Sequence, residues 1–163
     1  MKEELEKNGL GNIFSNIVQT NRSLSAKGIV RGLHFQKDPK CQAKIVECLQ
    51  GAVLDVVVDI RNDSKTYGKW TSVLLTPEKG NQLLVPKGFA HGFVSLKDNT
   101  LFQYLVDNEY SKELEGGILW NDPDLNIDWQ FEKYNITNPI LSEKDQNHLP
   151  LKESNLTFKR GDN

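Results

Sequence analysis

The chain has 163 residues, of which 37% are hydrophobic and 26% are charged, a composition typical of a globular protein with a hydrophobic core. Its 20 Lys and Arg face 22 Asp and Glu, and the formal net charge is −2. A nucleic-acid partner held by a basic surplus is therefore not expected, and any anionic ligand must be met by a local cluster of positive charge.

The N-terminus and the cysteines indicate the compartment. No apolar run approaches the roughly 18 to 20 residues that cross a bilayer, and the acidic start at Glu3 and Glu4 does not resemble a signal peptide. Cys41 and Cys48 lack the paired spacing of a zinc or redox motif, so we interpret them as packing thiols. We expect a cytoplasmic protein with no membrane partner.

Short apolar runs broken by turn formers make up most of the chain. Residues 1–10 form a short lead-in, with a charged helix predicted over residues 2–9 and closed by Gly9. From Phe14 onward, runs rich in Val, Ile, Leu and Phe recur at the spacing of a β-sandwich or barrel. The predicted strands are Ile13 to Gln19, Gly28 to Phe35, Ala43 to Gln50, Val53 to Ile60, Trp70 to Thr76, Asn81 to Val85, His91 to Ser95 and Thr100 to Val106.

The turns and the C-terminal segment complete the predicted fold. Gln50-Gly51 indicates a tight hairpin, and Pro86-Lys87-Gly88 indicates a second turn. Residues 114–147 carry scattered turn formers and are predicted to wrap the outside of the sheets, ahead of a charged tail at 148–163. Because there is no internal repeat, we predict one domain over residues 1–163, all-β and mainly antiparallel, with a few short helices.

A dense polar constellation begins at Arg31 and continues to Gln36, with Lys44 following ten residues after His34. Side chains alternate between the two faces of a strand, so Arg31 and His34 point in opposite directions unless a bulge or twist intervenes. From these residues alone, His34 is equally well interpreted as a half-buried structural histidine and as a functional one.

A second cluster runs from Pro86 to Phe93 and has the P-x-G-x-x-H spacing of the second motif of cupin barrels. Metal-binding cupins add an H-x-H pair and a glutamate, because a divalent metal needs three or four converging ligands. Here His34 is followed by Phe35 and Gln36, and the chain has no H-x-H. The cluster favours a cupin barrel and argues against a metal. His148, near the C-terminus, is predicted to lie on the solvated surface.

Six motifs occur in register from about residue 5 to residue 150. They are Gln19-x-Asn21-x-Ser23-x-Ser25, Arg31 to Gln36, Asp59-Ile60-Arg61 with Ser64 and Gly68, Pro86 to Phe93, Trp120-Asn121-Asp122-Pro123 and Leu141-Ser142-x-Lys144-Asp145. Together they resemble the dTDP-4-dehydrorhamnose 3,5-epimerase family. This resemblance implies a cupin-like jelly roll that inverts C3 and C5 of a dTDP-4-keto-6-deoxyhexose without a metal or nicotinamide cofactor, as a homodimer.

The resemblance also implies roles for individual residues. His34 matches the general base, and Asp145, otherwise a loop carboxylate, matches the group that orients it. Lys44 matches the cation at the ketone oxygen, and Tyr104 matches the acid, although a strand tyrosine alone would be interpreted as a core ring. The positions that match contacts to the sugar nucleotide are Gln19, Asn21, Arg31, His91, Glu115 and Lys144.

The match departs from the family at the N-terminus. Family members usually carry an earlier strand with an R-G-x-F-x-E type motif that reaches the neighbouring subunit, and Met1 to Leu10 supply neither its arginine nor its glutamate. Two alternatives to a 3,5-epimerase stay open: an epimerase acting at C3 only or C5 only, and a non-catalytic jelly roll that binds sugar nucleotides. A metal-dependent cupin enzyme is disfavoured by the missing H-x-H.

Overall fold

The structure, a computed structural model, describes residues 2–7, 11 and 16–159. Two antiparallel sheets pack face to face in a cupin-like jelly roll, with strand orders β1-β8-β3-β6 and β5-β4-β7-β2-β9. The elements are α1 (Lys2–Lys7), β1 (Gln19–Ser25), β2 (Val30–Gln36), β3 (Lys44–Gln50), β4 (Val53–Asp59), β5 (Trp70–Leu75), β6 (Gln82–Val85), β7 (Phe89–Ser95), β8 (Thr100–Val106), β9 (Glu115–Gly117), α2 (Glu143–Gln146) and a 3-10 turn (Leu151–Glu153).

Strand β4 shows why the chain adopts this arrangement, because all seven of its residues are buried. Val53 faces the other sheet and packs in a cluster that includes Val46 of β3 and Phe102 of β8. Val56 faces away and packs in a larger cluster that includes Trp129. The five-stranded sheet therefore has an apolar layer on both faces, and the segment after β9 supplies the outer layer, as predicted.

Seven of the eight predicted strands agree with the structure to within two residues at each end. The first was wrong: the strand begins at Gln19 and not at Ile13, and residues 16–18 are not in a strand, while 12–15 lie outside the described residues. The prediction followed apolar residues, whereas β1 alternates polar side chains that line a cavity. Helix α1 ends at Lys7, and the predicted closure at Gly9 lies outside the described residues.

The C-terminal segment contains more structure than its composition indicated. Strand β9 and helix α2 were not predicted, because three and four residues carry too little periodic signal. In the predicted charged tail, Leu151, Leu156 and Phe158 are buried in the outer apolar layer. Within the part of the chain that the structure describes, no helix is both long and apolar enough to span a bilayer.

Candidate active site

A cavity of about 340 Å³ opens between the two sheets. The four-stranded sheet lines it from β1, β3 and β8, and the five-stranded sheet lines it from β2, β7 and β9. Eight of the ten sequence-predicted site residues line this cavity, namely Gln19, Asn21, Arg31, His34, Lys44, His91, Tyr104 and Glu115. The other two, Lys144 and Asp145, contact lining residues from helix α2.

Every second side chain of β1 contributes to one wall of the cavity. Gln19, Asn21 and Ser23 lie on the face of the strand that lines the cavity, and the Gln19 side-chain amide donates to Asn21 Oδ1 at 2.7 Å. Asn21 pairs across the sheet with Tyr104 of β8. Polar groups on β1 thus stand beside the phenol that the sequence predicted to be an acid.

A β-bulge on β2 brings Arg31 and His34 to the same cavity. The register with β7 shifts between these two residues, so the alternation that would separate them is broken. The bulge depends on glycine: Gly32 has φ +124°, and a Cβ there would lie 2.6 Å from the Cα of Gly92. Of the two arrangements that the sequence allowed, the structure has the bulged one.

His34 is paired with Asp145. Its Nε2 lies 2.5 Å from Asp145 Oδ1, and the backbone N–H of Gly32 donates to Asp145 Oδ2 at 3.3 Å. Asp145 is held in the first turn of α2, where its own N–H donates to the N-cap Ser142 at 3.1 Å. Burial raises the pKa of Asp145, but the hydrogen bond and charge of His34 outweigh it and leave that pKa below its ordinary value. Asp145 is therefore an anion at neutral pH.

A second pair, which the sequence did not reveal, joins His91 to Asp55. His91 Nε2 lies 2.8 Å from Asp55 Oδ2, and Asp55 is fully buried on β4. Burial raises the pKa of Asp55, against the lowering effect of His91 and Lys44. The available signal was a carboxylate placed between the apolar residues 53–54 and 56–58.

Lys44 is buried near this second pair. Burial lowers its pKa to about 8, although the charges of Asp55 and Glu115 act in the opposite direction. At neutral pH the ammonium group is thus mostly charged in a site with little solvent. A cation held in this way stabilises negative charge on a ligand more strongly than an exposed one does.

Glu115 joins strand β9 to two further side chains. It accepts hydrogen bonds from Lys144 Nζ and, at 2.9 Å, from the hydroxyl of Tyr110. Burial acts to raise the pKa of Glu115, but these bonds keep it below its ordinary value. Tyr110 lines the cavity and was not predicted as a site residue, because it lies in a loop outside the quoted motifs.

Tyr104 lines the cavity from the four-stranded sheet, across from His34 on the five-stranded sheet. Burial raises its pKa, with Arg31 acting in the opposite direction. The phenol therefore keeps its proton at neutral pH and can donate it.

His148 is not the surface residue that the sequence predicted. Its side chain is 14% exposed, and its Nε2 lies 3.6 Å from Asp145 Oδ1. The ring sits edge-on to the ring of His34, with centroids 6.0 Å apart. It occupies space that only a glycine leaves open, because a Cβ on Gly117 would lie 2.2 Å from Nε2.

A larger cleft of about 760 Å³ lies among residues 120–133. Its walls include Trp120, Trp129 and Phe131, and none of the predicted catalytic or substrate-binding residues lines it. The smaller cavity between the sheets is thus the site where the residues predicted to be acid, base and cation converge.

The chain is similar to known proteins in sequence and in fold. A family model described as dTDP-4-dehydrorhamnose 3,5-epimerase matches residues 1–153. The enzyme of that name from Shigella flexneri is 51% identical over 130 residues, which cover 80% of this chain and 69% of the relative.

Two solved structures extend the comparison. The dTDP-6-deoxy-D-glucose-3,5-epimerase of Legionella pneumophila, solved in complex with dTDP-4-keto-L-rhamnose, is 38% identical with a TM-score of 0.89, covering 98% of this chain and 83% of that one. A 3'-monoepimerase from Streptomyces bikiniensis in complex with dTDP-quinovose is 35% identical with a TM-score of 0.77, covering 83% and 67%. Because the family model spans nearly the whole chain and the relatives share its sequence as well as its fold, the chain belongs to the dTDP-4-dehydrorhamnose 3,5-epimerase family.

Proposed function

We propose that this protein is an isomerase that inverts C3 and C5 of dTDP-4-dehydro-6-deoxy-D-glucose and so forms dTDP-4-dehydro-L-rhamnose. One observation carries the proposal: His34 and Tyr104 line one cavity from opposite sheets, with Lys44 in the same cavity. Inversion needs a base on one side of the sugar ring and an acid on the other. The names of the relatives supply the substrate class.

His34 is the proposed base. The protons on C3 and C5 are acidic because each carbon adjoins the C4 ketone, and an imidazole suits their removal at neutral pH. Since Asp145 engages Nε2, the ring proton is held there and the lone pair is left on Nδ1. The anionic Asp145 then stabilises the imidazolium that forms when Nδ1 takes the sugar proton.

Lys44 is the proposed enolate-stabilising group. Proton removal moves negative charge onto the ketone oxygen, so a fixed cation beside it stabilises the enolate more than the neutral ketone. Burial of Lys44 makes this effect larger than it would be at the surface. No metal is required for this role.

Tyr104 is the proposed acid. Its raised pKa keeps the hydroxyl protonated, so it can return a proton to the face opposite His34. Repeating removal and return at the second carbon completes the double inversion.

Positive charge and amide groups around the cavity suit a sugar nucleotide. Arg31 and Lys144 supply local positive charge for a diphosphate on a chain whose net charge is −2. Glu115 fixes the position of Lys144. The remaining proposed contacts to the substrate are Gln19, Asn21 and His91.

The test is NMR of the substrate in D2O with the purified chain, following loss of the C3 and C5 proton signals. Loss at both carbons, with product of inverted configuration, is the expected result. Substrate alone measures spontaneous exchange under the same conditions. Tight dTDP binding without exchange at either carbon would contradict the proposal and support a non-catalytic binding jelly roll.

A single-site epimerase is the second candidate, because the similar structure from Streptomyces bikiniensis is a 3'-monoepimerase. The two activities use the same base and acid and differ in whether the intermediate can present its second carbon to them. Loss of one proton signal, with the other retained after prolonged incubation, would establish this candidate.

We also infer a homodimer formed through the outer face of the four-stranded sheet. Leu24 is 64% exposed there, and the partly buried Leu84 and Leu105 lie on the same face, packed against the buried Ile45. A polar row crosses the face, where Arg22 and Glu47 both bond to Gln103. Apolar patches of this kind beside satisfied polar groups are typical of subunit interfaces.

The mass of the protein, measured by light scattering as it elutes from a size-exclusion column, tests the dimer. The unmodified chain should have the mass of two copies, and Leu24→Glu should shift it toward one copy because a carboxylate would be buried at the interface. Leu149→Glu is the matched control, because Leu149 is also exposed, at 54%, and lies outside the sheet. A monomeric unmodified chain would contradict the inference.

A further inference from the structure

Three side chains with metal-ligating atoms meet where His148 approaches the His34–Asp145 pair. His34 lies on β2, Asp145 on α2 and His148 just after α2. One nitrogen or oxygen of each lies within 4.8 Å of the others. The proposed reaction uses His34 and Asp145 and gives no role to His148.

The ring nitrogen of His148 is the unusual member of this group. Nε2 is buried and makes no hydrogen bond with any described residue, although it lies 3.6 Å from Asp145 Oδ1. Buried polar atoms normally have partners, since leaving one unpaired costs about 1 to 3 kcal/mol. The same nitrogen lies close to Gly117, where a Cβ would be 2.2 Å away, and faces the carboxylate of Asp145.

The donor set matches the preferences of zinc. Two imidazole nitrogens and one carboxylate oxygen are a common zinc ligand set, with a fourth position left open. Tetrahedral zinc places its N and O ligands about 3.3 Å apart. The His34 to Asp145 and Asp145 to His148 distances, 2.5 and 3.6 Å, lie on either side of that value. All three ligating atoms lie within 4.8 Å of one another, so side-chain movements within the cluster bring them to the zinc spacing.

The local charge also suits a cation. Asp145 supplies a carboxylate whose Oδ1 lies 2.5 Å from one imidazole nitrogen and 3.6 Å from the other. Two positive charges lie nearby: Lys144, which is engaged by Glu115, and Arg31, which lines a groove together with His34 and Asp145.

We propose that His34, Asp145 and His148 form an inhibitory zinc-binding site. Zinc on Nε2 of His34 displaces the ring proton to Nδ1, so Nδ1 becomes a donor and loses the lone pair that takes the sugar proton. No proton is gained or lost by the protein in this step. The inhibition rests on the proposed function, whereas the binding does not.

The first experiment is a zinc titration of the untagged, chelator-treated full chain by calorimetry. One zinc per chain is expected, and His148→Gln should weaken binding by at least about tenfold, because one of three ligands is lost. The double variant Cys41→Ser, Cys48→Ser is the control, since these are the free cysteines of the described chain. It should bind zinc as the unmodified chain does.

Equal affinity in His148→Gln, or binding that disappears in the cysteine variant, would overturn the proposal. NMR of the imidazole signals gives a test that needs no variant, because the chain has 3 histidines. Zinc should shift the signals of His34 and His148 and leave that of His91 unchanged. A shift confined to His91, or no shift, would also overturn it.

Proton exchange separates this proposal from the proposed function. Zinc should suppress exchange in the unmodified chain at the concentrations at which it binds, and His148→Gln should retain exchange and resist zinc. If the metal-free chain shows no exchange but still binds zinc through these residues, the proposed function fails and the zinc site stands. Exchange that persists when zinc is fully bound would contradict the inhibition.

Discussion

Two histidine–aspartate pairs share the cavity and differ in their surroundings. The His34 side chain is 30% exposed and its partner Asp145 is 5% exposed, whereas the corresponding values for His91 and Asp55 are 8% and 0%. The first pair joins β2 to helix α2, and the second joins two adjacent strands, β7 and β4. Only the first therefore combines access to a ligand with a support outside the sheets.

The pKa values of the two aspartates also differ between the pairs. The pKa of Asp145 lies below its ordinary value, and that of Asp55 lies above it. Both oxygens of Asp145 accept hydrogen bonds, while Asp55 Oδ1 is buried without one among the described residues. The same two residue types thus suit proton transfer in one place and rigid support of a binding wall in the other.

Replacing the two histidines should break this comparison most clearly. His34→Asn should slow solvent exchange at both carbons by on the order of 10³-fold, because the proposed base is lost, while dTDP binding is retained. His91→Asn should mainly raise KM, since His91 lines the cavity as a proposed substrate contact. Exchange rates in D2O and dTDP calorimetry measure both effects. Equal loss of exchange in the two variants would contradict separate roles.

Replacing the two carboxylates should separate the pairs by a smaller factor. Asp145→Asn should lower kcat by on the order of 10²-fold, because an amide neither fixes the ring tautomer nor stabilises the imidazolium. Asp55→Asn should have the smaller effect on kcat, because the proposed base is His34 and not His91. Steady-state kinetics with circular dichroism as a folding control measure this. A larger kcat loss in Asp55→Asn would reverse the assignment of the pairs.

Tyr104→Phe tests whether His34 can remove a proton when the proposed acid across the cavity is missing. Deuterium should still enter the substrate, while formation of the inverted product falls by on the order of tenfold or more. NMR of one sample follows both processes. If exchange and inversion fall together, Tyr104 has a packing role against Phe102, and the centroids of these two rings are 6.3 Å apart.

The sequence predicted the fold where the pattern was strong. The strand at Val53 to Ile60 was found because a run of valines has a clear signal and is buried on both faces. The strand beginning at Gln19 was misplaced, because its cavity-facing side chains are polar and resemble a loop. Strand β9 owes its existence to pairing with β2, which is a tertiary contact that composition does not encode.

The candidate site was predictable through its motifs and less so through its neighbours. His34 and Asp145 were assigned by resemblance, since nothing local connects residues so far apart. The bulge that turns His34 into the cavity depends on the contact between Gly32 and Gly92 from different strands. The burial of His148 depends in the same way on Gly117. Such pairings exist only after folding, so the sequence alone did not reveal them.

The pH dependence of the rate should also distinguish the two histidine–aspartate pairs. Lys44 reports on the second pair, because it lies close enough to Asp55 to be influenced by its charge. Because the pKa of Lys44 is lowered to about 8, kcat should fall above that pH, by about tenfold per pH unit, as the ammonium group loses its proton. Asp55 raises this pKa, so Asp55→Asn should lower it further and move the alkaline limb to lower pH.

Asp145→Asn serves as the matched control for this shift. It should reduce the rate at every pH and leave the position of the alkaline limb unchanged, because the carboxylates that raise the pKa of Lys44 are Asp55 and Glu115. Profiles of kcat against pH for the unmodified chain and the two variants give the pH at which the rate falls, whatever the maximal rate of each protein. A limb that moves in Asp145→Asn and stays in place in Asp55→Asn would show that the titrating group belongs to the first pair and not to Lys44.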